Sequence, residues 1–194
     1  MDFRCRHKLV AAFTALMLAL SSGGNIGASN SALTDYDWQA LYIMKFGLSY
    51  VEWPEITFSE NIKIVNVCIY GDSPAFLRSL TSFQTKAASK LKINIKSYDE
   101  TASCNIIYIA KNKTDYKSII QSVQNKPVLT VAPIDGFAAD GGMVEFVISE
   151  TSLNGNAPFN SKVKVNFKIN YKSAMACNLK IAPELIELSE KVIR

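Results

Sequence analysis

The chain has 194 residues, 21 basic and 17 acidic side chains, and a formal net charge of +4 at pH 7. That balance is too slight for nucleic acid to be the main partner, because phosphate backbones are met by clustered Lys and Arg. Hydrophobic residues make up 48% of the chain, enough to build a core, while a single histidine, His7, leaves almost no basis for Ser-His-Asp, Cys-His or histidine-bearing metal chemistry.

Residues 1–28 read as a secretory signal peptide. Arg4, Arg6 and Lys8 open it, an apolar run fills residues 9–20, and small and polar residues follow. The run is shorter than the roughly 20 residues that span a bilayer. Cys5 precedes it and is not placed as a lipoprotein cysteine. Cleavage is expected after Ala28, with Ala32 as the alternative. His7 leaves with the leader. Loss of Asp2, Arg4, Arg6 and Lys8 leaves 18 basic and 16 acidic residues, a net charge of +2, on 166 residues from Ser29. That length fits one domain, expected over residues 34–194. A second apolar run of similar length is absent, so no transmembrane segment is expected in the mature chain.

The mature domain opens with a helix. Thr34 is its cap, Asp35 and Asp37 sit in the first turn, and Trp38, Leu41, Tyr42 and Phe46 recur at helical spacing. Pro54 ends it. Residues 61–71, "NIKIVNVCIYG", read as a strand. Asp72 or Ser73 then caps a helix with Pro74 in its first turn and Phe76, Leu77 and Leu80 inward. Strands follow at residues 91–98 and 104–110, an amphipathic helix ends near Asn125, and "KPVLTVAP" is a buried strand. Residues 143–153 and 162–171 alternate in polarity and are joined by "NGNAP", the pattern of a β-hairpin. Pro183 is expected to begin a final helix carrying Leu185, Ile186, Leu188 and Val192 on one face. The order predicts an α/β fold: a single domain with a largely parallel sheet flanked by helices, and a C-terminal β-hairpin and helix.

Three cysteines remain after cleavage: Cys68, Cys104 and Cys177. In an oxidising compartment a disulfide is expected, and the odd count leaves one thiol over. Cys68 and Cys104 lie in apolar strands that can meet as neighbours. A bridge between them would close a loop worth roughly 4 kcal/mol. Cys177 stands among small residues and reads as a buried free thiol.

"GFAADGG" holds three of the nine glycines, Gly136, Gly141 and Gly142. A phosphate cradle needs a following helix, and a Walker motif needs Lys and Ser/Thr. Here Met143 and a strand follow, so the stretch predicts tight turns, with Gly141 or Gly142 at positive φ. Phe137 and Met143 are costly to leave in water, and the loop follows a strand's carboxyl end, where ligands and partners bind in α/β sheets. Gly136, Phe137, Asp140, Gly141, Gly142 and Met143 are therefore partner- or ligand-binding candidates. Tyr50 and Trp53, in a turn before Pro54, are two more, with core packing as the competing reading. No catalytic residue, metal ligand or cofactor site is assigned. The carboxylates Asp35 and Asp37, Asp99 and Glu100, and Glu184 and Glu187 stand near no base, and "AASK" at 87–90 reads as exposed loop.

Taken in order, "KFGLSYVEWP", "VCIYGD", "CNIIYIA", "PVLTVAPIDGFAADGGMVEFVI" and "VNFKINYKSAMACNLKIAPELIELS" resemble the YfiR family of exported bacterial regulators. The resemblance covers about residues 38–192 and implies a periplasmic α/β protein without catalysis. Its implied partner is a membrane-anchored signalling protein, such as a diguanylate cyclase restrained through its periplasmic sensor domain. The output would be c-di-GMP and biofilm control. An outer-membrane partner relieves the restraint in the family, and a homodimer is left open. The family's cysteine pair maps onto Cys68 and Cys104, its glycine loop onto Gly136, Phe137, Gly141 and Gly142, and its asparagine after the last strand onto Asn170. Asn105 stands where many relatives carry histidine, and Cys177 where a small residue is usual. A small-ligand sensor or solute-binding module is the alternative expectation.

Overall fold

The computed structural model describes residues 33–57, 63–86, 91–100, 102–148 and 166–194. The expected leader, the "AASK" stretch and the "NGNAP" turn lie outside these residues. Within them, no helix is long and apolar enough to cross a membrane.

Helix α1 (Asp35–Lys45) starts at a capping box: Asp37 N–H donates to Thr34 Oγ1 at 3.2 Å, and Thr34 N–H donates to Asp37 Oδ2 at 2.8 Å. Its buried face is Gln39, Ala40, Ile43 and Met44, while Trp38, Leu41 and Tyr42 are only half-buried. The helix is apolar nearly all round, so periodicity alone does not fix its rotation; packing on α2 does. A π turn, Phe46–Tyr50, follows. The segment expected to turn at Tyr50–Trp53 instead forms strand β1 (Val51–Glu52), paired antiparallel with β8 (Lys180–Ile181). There the chain finds backbone partners that a free turn would lack.

Strand β2 (Lys63–Tyr70) ends at Gly71, which has φ +93°. Helix α2 (Pro74–Lys86) buries Phe76 and Leu80 but leaves Leu77 42% exposed, contrary to expectation. The Phe76 ring stacks on Tyr108 with centroids 3.6 Å apart, and that contact sets the helix rotation. The chain continues through β3 (Leu91–Ser97), β4 (Ile106–Ile109), α3 (Tyr116–Ser122), β5 (Leu129–Ala132), β6 (Val144–Val147), β7 (Asn166–Asn170) and α4 (Tyr171–Ala176). After β8 come α5 (Pro183–Glu187) and β9 (Lys191–Ile193).

The sheet order is β3-β2-β4-β5-β6-β7-β9. The five strands from β3 to β6 run parallel, β7 is antiparallel to β6, and β9 is parallel to β7. The expected α/β class, largely parallel sheet and C-terminal hairpin are present. The final helix is shorter than expected. It stops at Glu187, and Val192 pairs in strand register with Ile169 instead of lying on a helical face. The free edge of β7 explains this, since β9 and the Glu190 N–H bond to Phe167 O at 2.8 Å satisfy its backbone groups.

Period-two alternation sorts the strand side chains onto two faces. Val65, Val67, Tyr108, Val131 and Phe146 face α1 and α2 in one core cluster. Cys68, Ile107, Ile109 and Ala132 face α3 and Phe137 in the other. The Tyr108 hydroxyl donates to Gln39 Oε1 at 2.9 Å, and burial pushes its pKa well up.

Candidate functional site

Parallel neighbours such as β5 and β6 need a crossover, usually a helix. Here residues 133–143 make it without one, and the glycine-rich stretch is that crossover. Its backbone is stitched to itself. Phe137 N–H donates to Ile134 O at 3.1 Å, Asp140 N–H to Gly136 O at 3.0 Å, Gly141 N–H to Ala138 O at 3.3 Å, and Gly142 N–H to Phe137 O at 2.9 Å. Gly136 and Gly141 sit at φ +80° and +104°, the left-handed region that a side chain strains. Gly142 is required for a different reason. A Cβ there would lie 2.1 Å from Phe137 Cε1, so the backbone rides directly on the buried ring.

Side chains from β5, β6 and β7 hold the loop from beneath. Ala138 N–H donates to Glu145 Oε2 at 3.0 Å, and Met143 N–H donates to Thr130 Oγ1 at 3.1 Å. Asn170 Nδ2 donates to Ala138 O at 2.8 Å, while its Oδ1 accepts from Ser173 N–H at 2.9 Å and caps α4. The buried Glu145 carboxylate accepts from Lys168 Nζ at 2.7 Å, its partner in strand register. Lys168 also reaches Asp135 at 3.2 Å. Glu145, and then Asp135, hold the Lys168 pKa above its ordinary value, and Lys168 draws the Asp135 carboxyl down. On the outer side, the Tyr116 hydroxyl donates to Asp140 at 2.6 Å and Lys117 lies 3.0 Å from it. The Tyr116 hydrogen bond, then Lys117, depress the Asp140 pKa.

The loop's amides are therefore directed inward, into turns and onto Glu145. They do not converge on an outside anion as a phosphate cradle would. Of the sequence candidates, Asp140 is exposed, Gly136, Gly141 and Tyr50 are half-buried, and Gly142 is buried. Phe137 (0% exposed), Met143 (3%) and Trp53 (8%) face the interior, so their apolar cost is met by the core and not by an outside surface. Tyr50 and Trp53 pack in the α1 cluster and Phe137 in the α3 cluster. Beside the loop lies a cleft of about 430 Å³, bordered by Lys117, Gln124, Asp140, Gly141, Met143 and Cys177.

Cys68 and Cys104 form the disulfide, which ties β2 to the entry of β4. Cys177 is buried and free. Asn105 accepts from Asn66 N–H at 2.8 Å through its side chain, bridging the same two strands. Glu145, Lys168, Thr130 and Tyr116 were not among the sequence candidates. The signal was present for two of them: a carboxylate inside the apolar "VEFV" and a lysine inside "FKIN".

A family model described as YfiR/HmsC-like matches residues 36–156. Among solved structures, the chain is similar to an ABC domain in complex with L-Trp from Streptococcus pneumoniae, at 14% identity and TM-score 0.49, covering 66% of this chain and 55% of that one. It is also similar to a conserved domain protein from Vibrio cholerae O1 biovar El Tor, at 11% identity and TM-score 0.47, covering 84% of this chain and 61% of that one. The chain thus spans less than two thirds of the length of either. No curated protein matches.

Proposed function

The chain belongs to the YfiR/HmsC-like family, and on that premise we propose that it is a periplasmic regulatory binding protein. It inhibits an inner-membrane signalling protein, such as a diguanylate cyclase, by engaging that protein's periplasmic sensor domain, and thereby acts on c-di-GMP and biofilm control. The family match over residues 36–156 carries this reading. The glycine loop supports it, because its internally bonded backbone makes a rigid relief that a partner can read by shape. Asp140, Gly136 and Gly141 supply its contact atoms, while Phe137 and Met143 set the relief from below; Tyr50, in the α1 cluster with Trp53, is a separate contact candidate. Inhibition requires preferential binding to the partner's inactive state. Moving a balance from 99:1 to 1:99 takes about 5.5 kcal/mol of differential affinity.

The test is recovery of a membrane signalling protein from solubilised membranes on the immobilised chain. Asp140→Lys should abolish recovery while lowering stability in urea by only about 1 kcal/mol, the scale of the surface hydrogen bond and ion pair to Tyr116 and Lys117 that it removes. Recovery of no signalling protein, or recovery indifferent to both Asp140 and Tyr50 substitutions, would overturn the proposal. The cleft of about 430 Å³ beside the loop favours a second reading, a small-ligand sensor. Saturable binding of a periplasmic metabolite by calorimetry, with no protein partner, is the outcome that selects it.

A further inference from the structure

A parallel sheet is ordinarily covered on both faces, because its crossover helices lie on them. Here β3 and β4 are joined by residues 98–105, and the described ones form no helix. The α3 face over β2 and β3 therefore has no helical layer among the described residues. Register identifies what it presents. Ile64 lies opposite Lys92, Asn66 opposite Asn94, and Cys68 opposite Lys96. The next pair, Tyr70 and Tyr98, meets edge to face at 5.5 Å, which places this row on the α3 side. Ile64 is 43% exposed, Asn66 and Asn94 are half-buried, and Lys92 and Lys96 are exposed. Asn94 Nδ2 donates to Asn66 Oδ1 at 3.2 Å, and Asn66 N–H donates to Asn105, which lines an adjoining cleft of about 670 Å³. That cleft also carries Lys126 and one carboxylate, Glu100.

Resting on the regulatory-binding reading, we propose that the β2–β3 half of this face, with the adjoining cleft, docks an acidic segment of a partner protein. The Cα atoms of the two exposed lysines, Lys92 and Lys96, four residues apart on one strand, stand about 13 Å from one another at strand rise. The lysines flank the amide side chains of Asn94 and Asn66, and the partly exposed Ile64 lies beside Lys92 at one end. Such a strip offers charge at its ends, hydrogen-bonding groups between, and an apolar anchor. A segment with carboxylates at matching spacing and a hydrophobe beside the one that meets Lys92 satisfies all three, and lysines without a carboxylate partner among the described residues repel a basic one.

The probe is a fluorescent peptide of Glu, Leu and Ala, compared with the same peptide carrying Gln or Lys for Glu. Protein purified from the periplasmic fraction is titrated at low salt, by anisotropy and by amide shifts in ¹⁵N spectra. The Glu peptide should bind, with shifts centred on residues 64–66 and 92–96. Lys92→Glu with Lys96→Glu should weaken binding about tenfold or more, at the upper end for two exposed charge pairs reversed. Lys111→Glu with Lys172→Glu, an equal change in net charge elsewhere, should not. Shifts centred elsewhere, no saturable binding, or equal loss in both double variants would overturn the proposal, as would lysine-dependent binding to anionic lipid vesicles without peptide binding. The titration needs no membrane extract, so its failure is separable from failure to recover a signalling partner.

Discussion

Gly142→Ala isolates the contact on which the loop is built. The residue is not in the left-handed region, so the substitution adds no backbone strain; its effect is steric. The new Cβ would meet three Phe137 ring atoms at 2.1 to 2.4 Å, and ordinary contact begins at 3.4 Å. The ring or the backbone must retreat by about 1.3 Å in a region where Phe137 is fully buried. If the core yields, the cost is that of overpacking, about 1–3 kcal/mol. If the ring is expelled, the cost approaches that of deleting it, about 3–5 kcal/mol. A loss of about 2–4 kcal/mol is therefore expected, read as a lower urea midpoint at unchanged slope by tryptophan fluorescence. The decisive control is the double variant with Phe137→Ala. With the ring gone the new methyl has space, so the pair should be no less stable than Phe137→Ala alone. A Gly142→Ala chain within about 0.5 kcal/mol of the parent, or additive losses in the pair, would refute the reasoning.

Asn170→Ala removes the α4 cap and the donor to the Ala138 carbonyl, and should cost about 2–4 kcal/mol in urea unfolding. Lys168→Met leaves the buried Glu145 carboxylate without its cation and should cost about 3–5 kcal/mol, far more than changing an exposed lysine. Replacing both Cys68 and Cys104 by Ala opens the covalent loop and should cost about 4 kcal/mol, with the parent losing a similar amount under reductant. Tyr116→Phe removes the first cause of the depressed Asp140 pKa, so that carboxyl should titrate nearer 3.8 by ¹³C NMR. A depressed carboxyl adds stability above its unfolded pKa that is lost as pH falls through the folded one; in the variant this acid-side loss should shrink.

The strands were legible in the sequence wherever a single signal spoke for them. "KINIK" alternates, "IIYI" is apolar throughout and "LTVA" apolar but for Thr130, and each appears where expected. Thr34 announced its helix because a cap is local chemistry. What stayed hidden depended on partners distant in sequence. The rotation of α1 is set by α2, because Trp38, Leu41, Tyr42, Ile43 and Met44 leave no polar face to choose by. "EKVI" reads as helix until the open edge of β7 is available to it. Phe137 looked like a surface anchor since nothing in "GFAADGG" reveals that Gly142 is absent of a side chain in order to lie over the ring. The straps to that loop come from β5, β6 and β7, and only the pairing of these strands brings Thr130, Glu145 and Asn170 beneath it.

Among the described residues, the two places where this sheet lacks a crossover helix are handled in opposite ways. Between β5 and β6 the missing helix is replaced by a short loop with one aromatic ring pressed beneath it, and Glu145, Asn170 and Thr130 hold its backbone. That region is sealed, and what it shows outward is a fixed shape edged by Asp140. Between β3 and β4 no such substitute stands among the described residues over β2 and β3. The strands compensate in composition, placing Asn66, Asn94, Lys92 and Lys96 where a buried sheet would carry Val or Ile. Ile64 breaks that pattern, being apolar, 43% exposed and directly opposite Lys92. Its β-branched side chain suits a strand in any case, so the test must separate docking from folding. Ile64→Ser should cost no more than about 1 kcal/mol in urea unfolding and weaken the acidic peptide severalfold. A large loss of stability with unchanged peptide affinity would instead assign Ile64 to the fold.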